Sequence, residues 1–198
     1  MSRVITFSFF LLMCFEAASA QEPVIGGPCQ GCELVFAGMP IELKSSSRIA
    51  SESEQGEPLN LRGTVYKADG TPASGIIVYA YQTNAKGVYP KGSTNHGRLR
   101  GWARTDVNGK YGFKTIRPKA YPGRDIPQHI HLHIIEPNKA TYYIDDVTFS
   151  DDPLLTSEHR KKDNCRGGCG ESQPTRDEQG VWQVRRDIIL GEAIPGYE

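Results

Sequence analysis

Short apolar stretches separated by turn residues dominate the chain. Residues 61–66 are rich in β-formers and end in Ala68-Asp69-Gly70, a turn sequence. Residues 75–81 form a continuous apolar run whose length suits a buried strand. Residues 98–105 and 110–116 flank Asp106-Val-Asn-Gly109, which predicts a hairpin with a short loop. Residues 129–135 and 141–149 flank the turn Glu136-Pro-Asn-Lys139, and residues 181–190 are the last strand candidate. No segment carries the 3.6-residue apolar period of a long helix. The expectation is an all-β protein, an antiparallel β-sandwich with long loops.

Two polar stretches interrupt this pattern. Residues 44–57 are rich in Ser, Glu and Gly and read as a linker. Residues 157–179 are charged and read as a long loop pinned by cysteines. The first twenty residues differ from both. Arg3 precedes an apolar run over residues 4–15, and Ala18-Ser-Ala20 follows. That is the pattern of a secretory signal cleaved before Gln21. The run is too short to span a bilayer as a stable anchor. The expected division is a signal at residues 1–20, a cysteine-containing segment and linker at 21–57, and the sandwich at 58–198. The mature chain is expected outside the cytoplasm, periplasmic or secreted.

Charge narrows the partners. The 198 residues hold 23 Lys+Arg against 23 Asp+Glu. A balanced chain offers no general electrostatic case for binding nucleic acid or, after signal cleavage, a membrane surface. Export changes how the cysteines read. Beyond Cys14, the pairs Cys29/Cys32 and Cys165/Cys169 remain. An even number in an oxidising compartment favours disulfides, within or between the pairs. A zinc site is the rival, because Cys29-x-x-Cys32 has zinc-ligand spacing.

His129-Ile-His131-Leu-His133 is the densest chemical motif. Period-two alternation puts its imidazoles on one strand face, opposite core-facing Ile130 and Leu132. Neighbouring imidazoles on such a face can converge on one metal ion. Further ligands would come from tyrosines. Tyr121 sits in a rigid Pro-Lys-Ala-Tyr-Pro-Gly turn before the histidine strand, and Tyr89 in a loop after Tyr79 and Tyr81.

Three stretches carry a resemblance. They are Leu61-Arg-Gly-Thr-Val-Tyr-Lys-Ala-Asp-Gly-Thr-Pro-Ala-Ser-Gly75, Tyr81-Gln-Thr-Asn-Ala-Lys-Gly-Val-Tyr89, and Arg104-Thr-Asp-Val-Asn-Gly-Lys-Tyr-Gly-Phe through Tyr121-Pro122. Followed by Pro127-Gln-His-Ile-His131, they resemble the intradiol ring-cleavage dioxygenases, protocatechuate 3,4-dioxygenase-like, over residues 58–153. The resemblance implies a non-haem Fe(III) held by Tyr89, Tyr121, His129 and His131. It further implies cleavage of a catechol-type ring by O2 to a cis,cis-muconate-type product. Tyr121 would be the tyrosinate that substrate displaces, and it would then act as a base. Phenolate is a hard anionic donor suited to ferric iron. His133 has no ligand role in the family pattern and would be structural.

The chain departs from that pattern in places. Ile126 stands where relatives carry an arginine, and Arg124 is the nearby candidate to replace it. Asp146 stands where relatives carry a glutamine. The alternative reading is non-enzymatic. Gly63-Thr-Val, the following Gly/Pro turn and Thr105-Asp-x-x-Gly-x-Tyr-x-Phe also resemble transthyretin-like β-sandwich binding modules. Those modules do not require the two tyrosines and two histidines.

Overall fold

The computed structural model describes residues 24–29 and 31–198. The signal-like stretch at residues 1–20 lies outside the described residues. The strands are β1 (Ser46–Arg48), β2 (Pro58–Tyr66), β3 (Ile77–Gln82), β4 (Arg100–Arg104) and β5 (Lys110–Ile116). They continue with β6 (His129–Glu136), β7 (Ala140–Phe149), β8 (Glu171–Ser172), β9 (Thr175–Arg176), β10 (Trp182–Arg185) and β11 (Ile188–Ile189). A 3-10 turn at Cys32–Phe36 and one helical turn, α1 (Ser157–Arg160), are the helical pieces among the described residues. None of the helical pieces among these residues is long and apolar enough to cross a membrane.

Two sheets face each other. One runs β1-β5-β2-β10-β9, with β11 also on β2, and the other runs β4-β3-β6-β7-β8. Leu61, Phe113, Val78, Leu132 and Ile144 fill the space between them, each no more than 1% exposed. Alternation supplies these contacts, since every second residue of a strand turns inward.

The sandwich is mixed rather than antiparallel. β1 runs parallel to β5, β10 and β11 run parallel to β2, and β8 runs parallel to β7. Each of these strands is separated from its partner by a long excursion, which a parallel pairing requires. The expected hairpin of residues 98–105 with 110–116 does not form. β4 pairs with β3, while β5 pairs with β2 and β1. The Asp106-to-Gly109 loop therefore crosses between sheets. It is closed by Asp106, whose Oδ1 accepts from the backbone N–H of Asn108 and Lys110, both at 2.9 Å.

The stretch at residues 44–57 is not a loose linker. It supplies β1, and Ile49 and Ala50 bury in the core. Residues 157–179 likewise contribute α1, β8 and β9. The last strand breaks at Arg186. Gly63 of β2 approaches so closely there that a Cβ would lie 1.8 Å from the Arg186 carbonyl oxygen. The Arg186 side chain is 3% exposed, and its guanidinium donates to the backbone carbonyls of Gly167, Asp187 and Gly168. That anchors the loop in which Cys165 and Cys169 form a local disulfide; Cys29 and Cys32 form the other.

Candidate metal centre

β6 lies in the middle of its sheet, between β3 and β7. Ile130, Leu132 and Ile134 are fully buried in the inter-sheet core, so the histidines turn to the sheet's other face. The pairing with β7 is irregular at this point. Ile130 opposes Val147 and Leu132 opposes Ile144, so Asp145 and Asp146 together stand across from His131. This bulge gives the Asp146 carboxylate its reach: Oδ1 lies 2.9 Å from His131 Nδ1.

The tyrosines arrive on two loops that are tied together. Thr83 Oγ1 donates to Lys119 O at 2.7 Å, and Lys119 N–H donates to Asn84 O at 3.2 Å. Asn84 Oδ1 accepts from the N–H groups of Lys86 and Val88, which turns the chain toward Tyr89. Gly87 makes the close approach possible. Its φ is +75°, and a Cβ there would lie 2.0 Å from the Ala120 carbonyl oxygen, one residue from Tyr121.

The two phenol oxygens and two imidazole nitrogens meet in a closed circuit. Tyr89 Oη is 2.6 Å from Tyr121 Oη, which is 3.3 Å from His129 Nε2. His129 Nε2 is 3.1 Å from His131 Nε2, which is 2.9 Å from Tyr89 Oη. The far nitrogens fix the tautomers. His129 Nδ1 lies 2.7 Å from Pro127 O, which only accepts, so Nδ1 carries the proton. His131 Nδ1 faces the Asp146 carboxylate in the same way. Both Nε2 atoms therefore present lone pairs.

The circuit has four contacts and, at most, two phenol protons to fill them. Two imidazole lone pairs 3.1 Å apart cannot hydrogen-bond each other. A central cation resolves this. Metal–ligand bonds of about 2 Å place neighbouring ligands roughly 2.8–3.3 Å apart, and three of the four spacings fall in that range. The donor set of two phenol oxygens and two imidazoles suits a hard, highly charged ion such as Fe(III).

Electrostatics describe the cluster before such an ion enters. Burial, and then the neighbouring phenol, push the Tyr89 hydroxyl far above its ordinary range. Burial also raises Tyr121, against the opposing hydrogen bond from Tyr89. Burial, followed by the nearby His131, lowers His129 and keeps it neutral. Burial opposes ionisation of Asp146, but the imidazoles of His131, His129 and His133 together hold its carboxyl below the usual range. A bound cation would reverse the phenol shift by direct stabilisation of phenolate.

The cluster opens into a cleft of about 630 Å³. Tyr121, His129 and His131 line it, together with Ile126, Leu155 and Lys162. Arg124 does not. It is exposed on the outside of the turn, where its backbone N–H donates to Tyr121 O at 3.2 Å. Its charge reaches Tyr121 only as a minor lowering influence. Ile126 occupies the cleft wall, and Lys162 is a cation at the cleft. Nothing local in the sequence marks Lys162, because it sits in a polar stretch brought over the cleft by the fold. Asp146 was visible only as a substitution; its bond to His131 depends on the bulge.

Comparison with known proteins agrees with the fold. A family model described as a dioxygenase, Dioxygenase_C, matches residues 36–166. The chain belongs to the intradiol ring-cleavage dioxygenase family. It is 34% identical over 112 residues to catechol 1,2-dioxygenase 1 of Acinetobacter lwoffii, covering 54% of this chain and 36% of that enzyme. It is 31% identical over 118 residues to the protocatechuate 3,4-dioxygenase beta chain of Burkholderia cepacia, covering 52% of this chain and 50% of that one. The chain thus spans between about a third and a half of these relatives. In fold it is similar to the dioxygenase domain of a dioxygenase–carbohydrate-binding fusion from Streptomyces sp. SirexAA-E, with a TM-score of 0.60 and 21% identity over 78% of this chain and 94% of that one.

Proposed function

We propose that the protein is a non-haem Fe(III) intradiol dioxygenase acting on catechol-type aromatics. O2 adds both its atoms and the ring opens between the two hydroxyl carbons, giving a cis,cis-muconate-type product. The observation that carries this reading is the four-atom circuit of Tyr89, Tyr121, His129 and His131, whose donors lack the protons to bond one another. Fe(III), when bound, would supply a Lewis acid that makes a catechol ring reactive toward O2.

The chain's own residues do the rest. His129 and His131 are held rigidly by Pro127 O and Asp146, so their Nε2 atoms stay aimed inward. Tyr121 borders the cleft, whereas Tyr89 lies behind it. Tyr121 Oη is therefore the group placed to take a catechol proton as substrate enters. Ile126 and Leu155 offer apolar walls to the ring, and Lys162 a cation for its developing negative charge.

The test is a titration of the full chain with Fe(III). The expected product is wine-red from tyrosinate-to-Fe(III) charge transfer, shifts its band on adding catechol, and forms a muconate. Tyr121→Phe loses much of the colour and most turnover. An iron-loaded protein without colour, or unchanged colour in both Tyr89→Phe and Tyr121→Phe, overturns the reading.

We also infer that the enzyme works outside the cytoplasm, on the signal pattern of residues 1–20. There it would open or detoxify catechols before uptake. Protein recovered from the periplasm or medium should begin at Gln21; a cytoplasmic chain retaining Met1 refutes export.

A further inference from the structure

A second cluster lies on the same face of β6, and its His133 also lines the cleft beside the four-atom circuit. His133 is 3% exposed, and neither Nδ1 nor Nε2 has a hydrogen-bond partner among the described residues. A buried polar group left without a partner costs about 1–3 kcal/mol. One chain segment lies against it. Cys29, Cys32 and His133 each offer one donor atom, and the three atoms lie within 4.8 Å of one another.

The fold holds that segment firmly. Trp102 Nε1 donates to Val35 O at 2.8 Å, pinning the 3-10 turn that begins at Cys32. Val35 is fully buried beside Tyr79, Trp102 and Ile135. Gly31 carries the chain over the pocket with φ +85°, where a Cβ would lie 2.8 Å from His96 Nε2. The Tyr81 ring joins this cluster to the four-atom circuit, stacked 3.8 Å from His96 and 4.4 Å from His131.

The cysteines are disulfide-bonded in this structure, and the Cys165–Cys169 pair closes on itself elsewhere. A disulfide offers little to a metal, whereas two thiolates offer much. We propose that Cys29, Cys32 and His133 form a redox-gated Zn(II) site, closed as the disulfide and opened by reduction. A dithiol reductant delivers two electrons and two protons to the S–S bond and leaves as its own disulfide. The S–S bond breaks to two thiols. As Zn(II) binds, both thiols release their protons to solvent.

The products suit the place. Zn(II) with two thiolates and a neutral imidazole carries no net charge, so burying it avoids the cost of an isolated ion. The ligand set favours a borderline-soft ion over ferric iron. Three protein ligands leave a fourth position for water. The otherwise unpartnered His133 gains a bond that nothing else among the described residues gives it.

Co(II), as a spectroscopic stand-in for Zn(II), tests the proposal before and after phosphine reduction on the full iron-loaded chain carrying Cys165→Ser and Cys169→Ser, so that reduction opens only the Cys29–Cys32 disulfide. Reduced protein should bind one Co(II) per chain, with thiolate-to-Co(II) charge transfer and intense tetrahedral bands that Zn(II) abolishes. Oxidised protein should show neither. The Tyr/His centre contains no sulfur, so this band cannot arise there, and failure of either site is read separately. The double variant Cys29→Ser, Cys32→Ser should lose the band, and His133→Phe should weaken Co(II) binding at least tenfold. Four results would each overturn the site: no thiolate band after reduction, an equal band in oxidised protein, a band that survives both serines, or affinity unchanged in His133→Phe. Should His133→Phe fail to fold, the serine pair, at half-exposed positions, still decides.

Discussion

His131 and His133 stand two residues apart on one face of one strand, yet their surroundings are opposite. His131 has both nitrogens engaged, Nδ1 with Asp146 and Nε2 within the four-atom circuit. His133 engages neither among the described residues. The neighbouring strands explain the difference. Across β3 the two histidines face Tyr81 and Tyr79 in regular register. Across β7, His133 faces Tyr143 in regular register, but His131 faces the bulge that presents Asp146. One extra residue on the adjoining strand thus separates an oriented imidazole from an orphaned one. Period two decides which side of a sheet a histidine takes; local irregularity decides what it meets there.

The Asp146 contact is the sharpest place to break that contrast. Asp146→Asn keeps an acceptor oxygen near His131 Nδ1 but removes the charge. The lost charge weakens the preference for the tautomer that aims the Nε2 lone pair into the four-atom circuit. Substitutions of this kind cost about 10–100-fold in metal affinity. Competitive titration with an Fe(III) chelator should show a loss in that range, with the tyrosinate colour retained once iron is loaded. Affinity equal to that of the unsubstituted chain would mean that the bulge does not tune His131.

The two histidines also show how far the sequence could be read. The strands over residues 110–116, 129–135 and 141–149 were legible because alternation and turn residues agree there. So was the convergence of Tyr89, Tyr121, His129 and His131, through resemblance rather than spacing. Sheet membership was not legible. A short loop predicted that residues 98–105 and 110–116 would pair, but each finds its partner in a different sheet. The polar stretch at residues 44–57 hid β1, because an edge strand needs few apolar residues to hydrogen-bond along a neighbour. Arg124 is close to Ile126 in sequence, but it is exposed and does not line the cleft. Lys162 and the Cys29–Cys32 contact with His133 depend on which segments fold back over the sheet, which no local pattern encodes.

A further effect is expected at His96, which neighbours His133. Its Nδ1 is 2.9 Å from Tyr79 Oη, its ring stacks on Tyr81, and it is 6% exposed. Burial, with His131 and Arg100 adding to it and Glu33 opposing, lowers it from the usual 6.5 to about 4. His133 faces it across the pocket, 6.2 Å between ring centroids. The unfolded chain binds a proton here at a pH where the folded chain does not. Stability from this group is therefore complete above pH 6.5 and falls as pH drops toward about 4. The loss is at most about 1.4 kcal/mol for each pH unit in that window. His96→Asn removes the titration, so thermal unfolding of the variant should depend less steeply on pH between 6.5 and about 4 than that of the parent. His96 also lowers the neighbouring His133, so the difference in slope reads His96 together with its coupling to His133. Parallel curves would show that His96 takes up its proton within the fold without penalty, and the pocket around His133 would then be wetter than its burial implies.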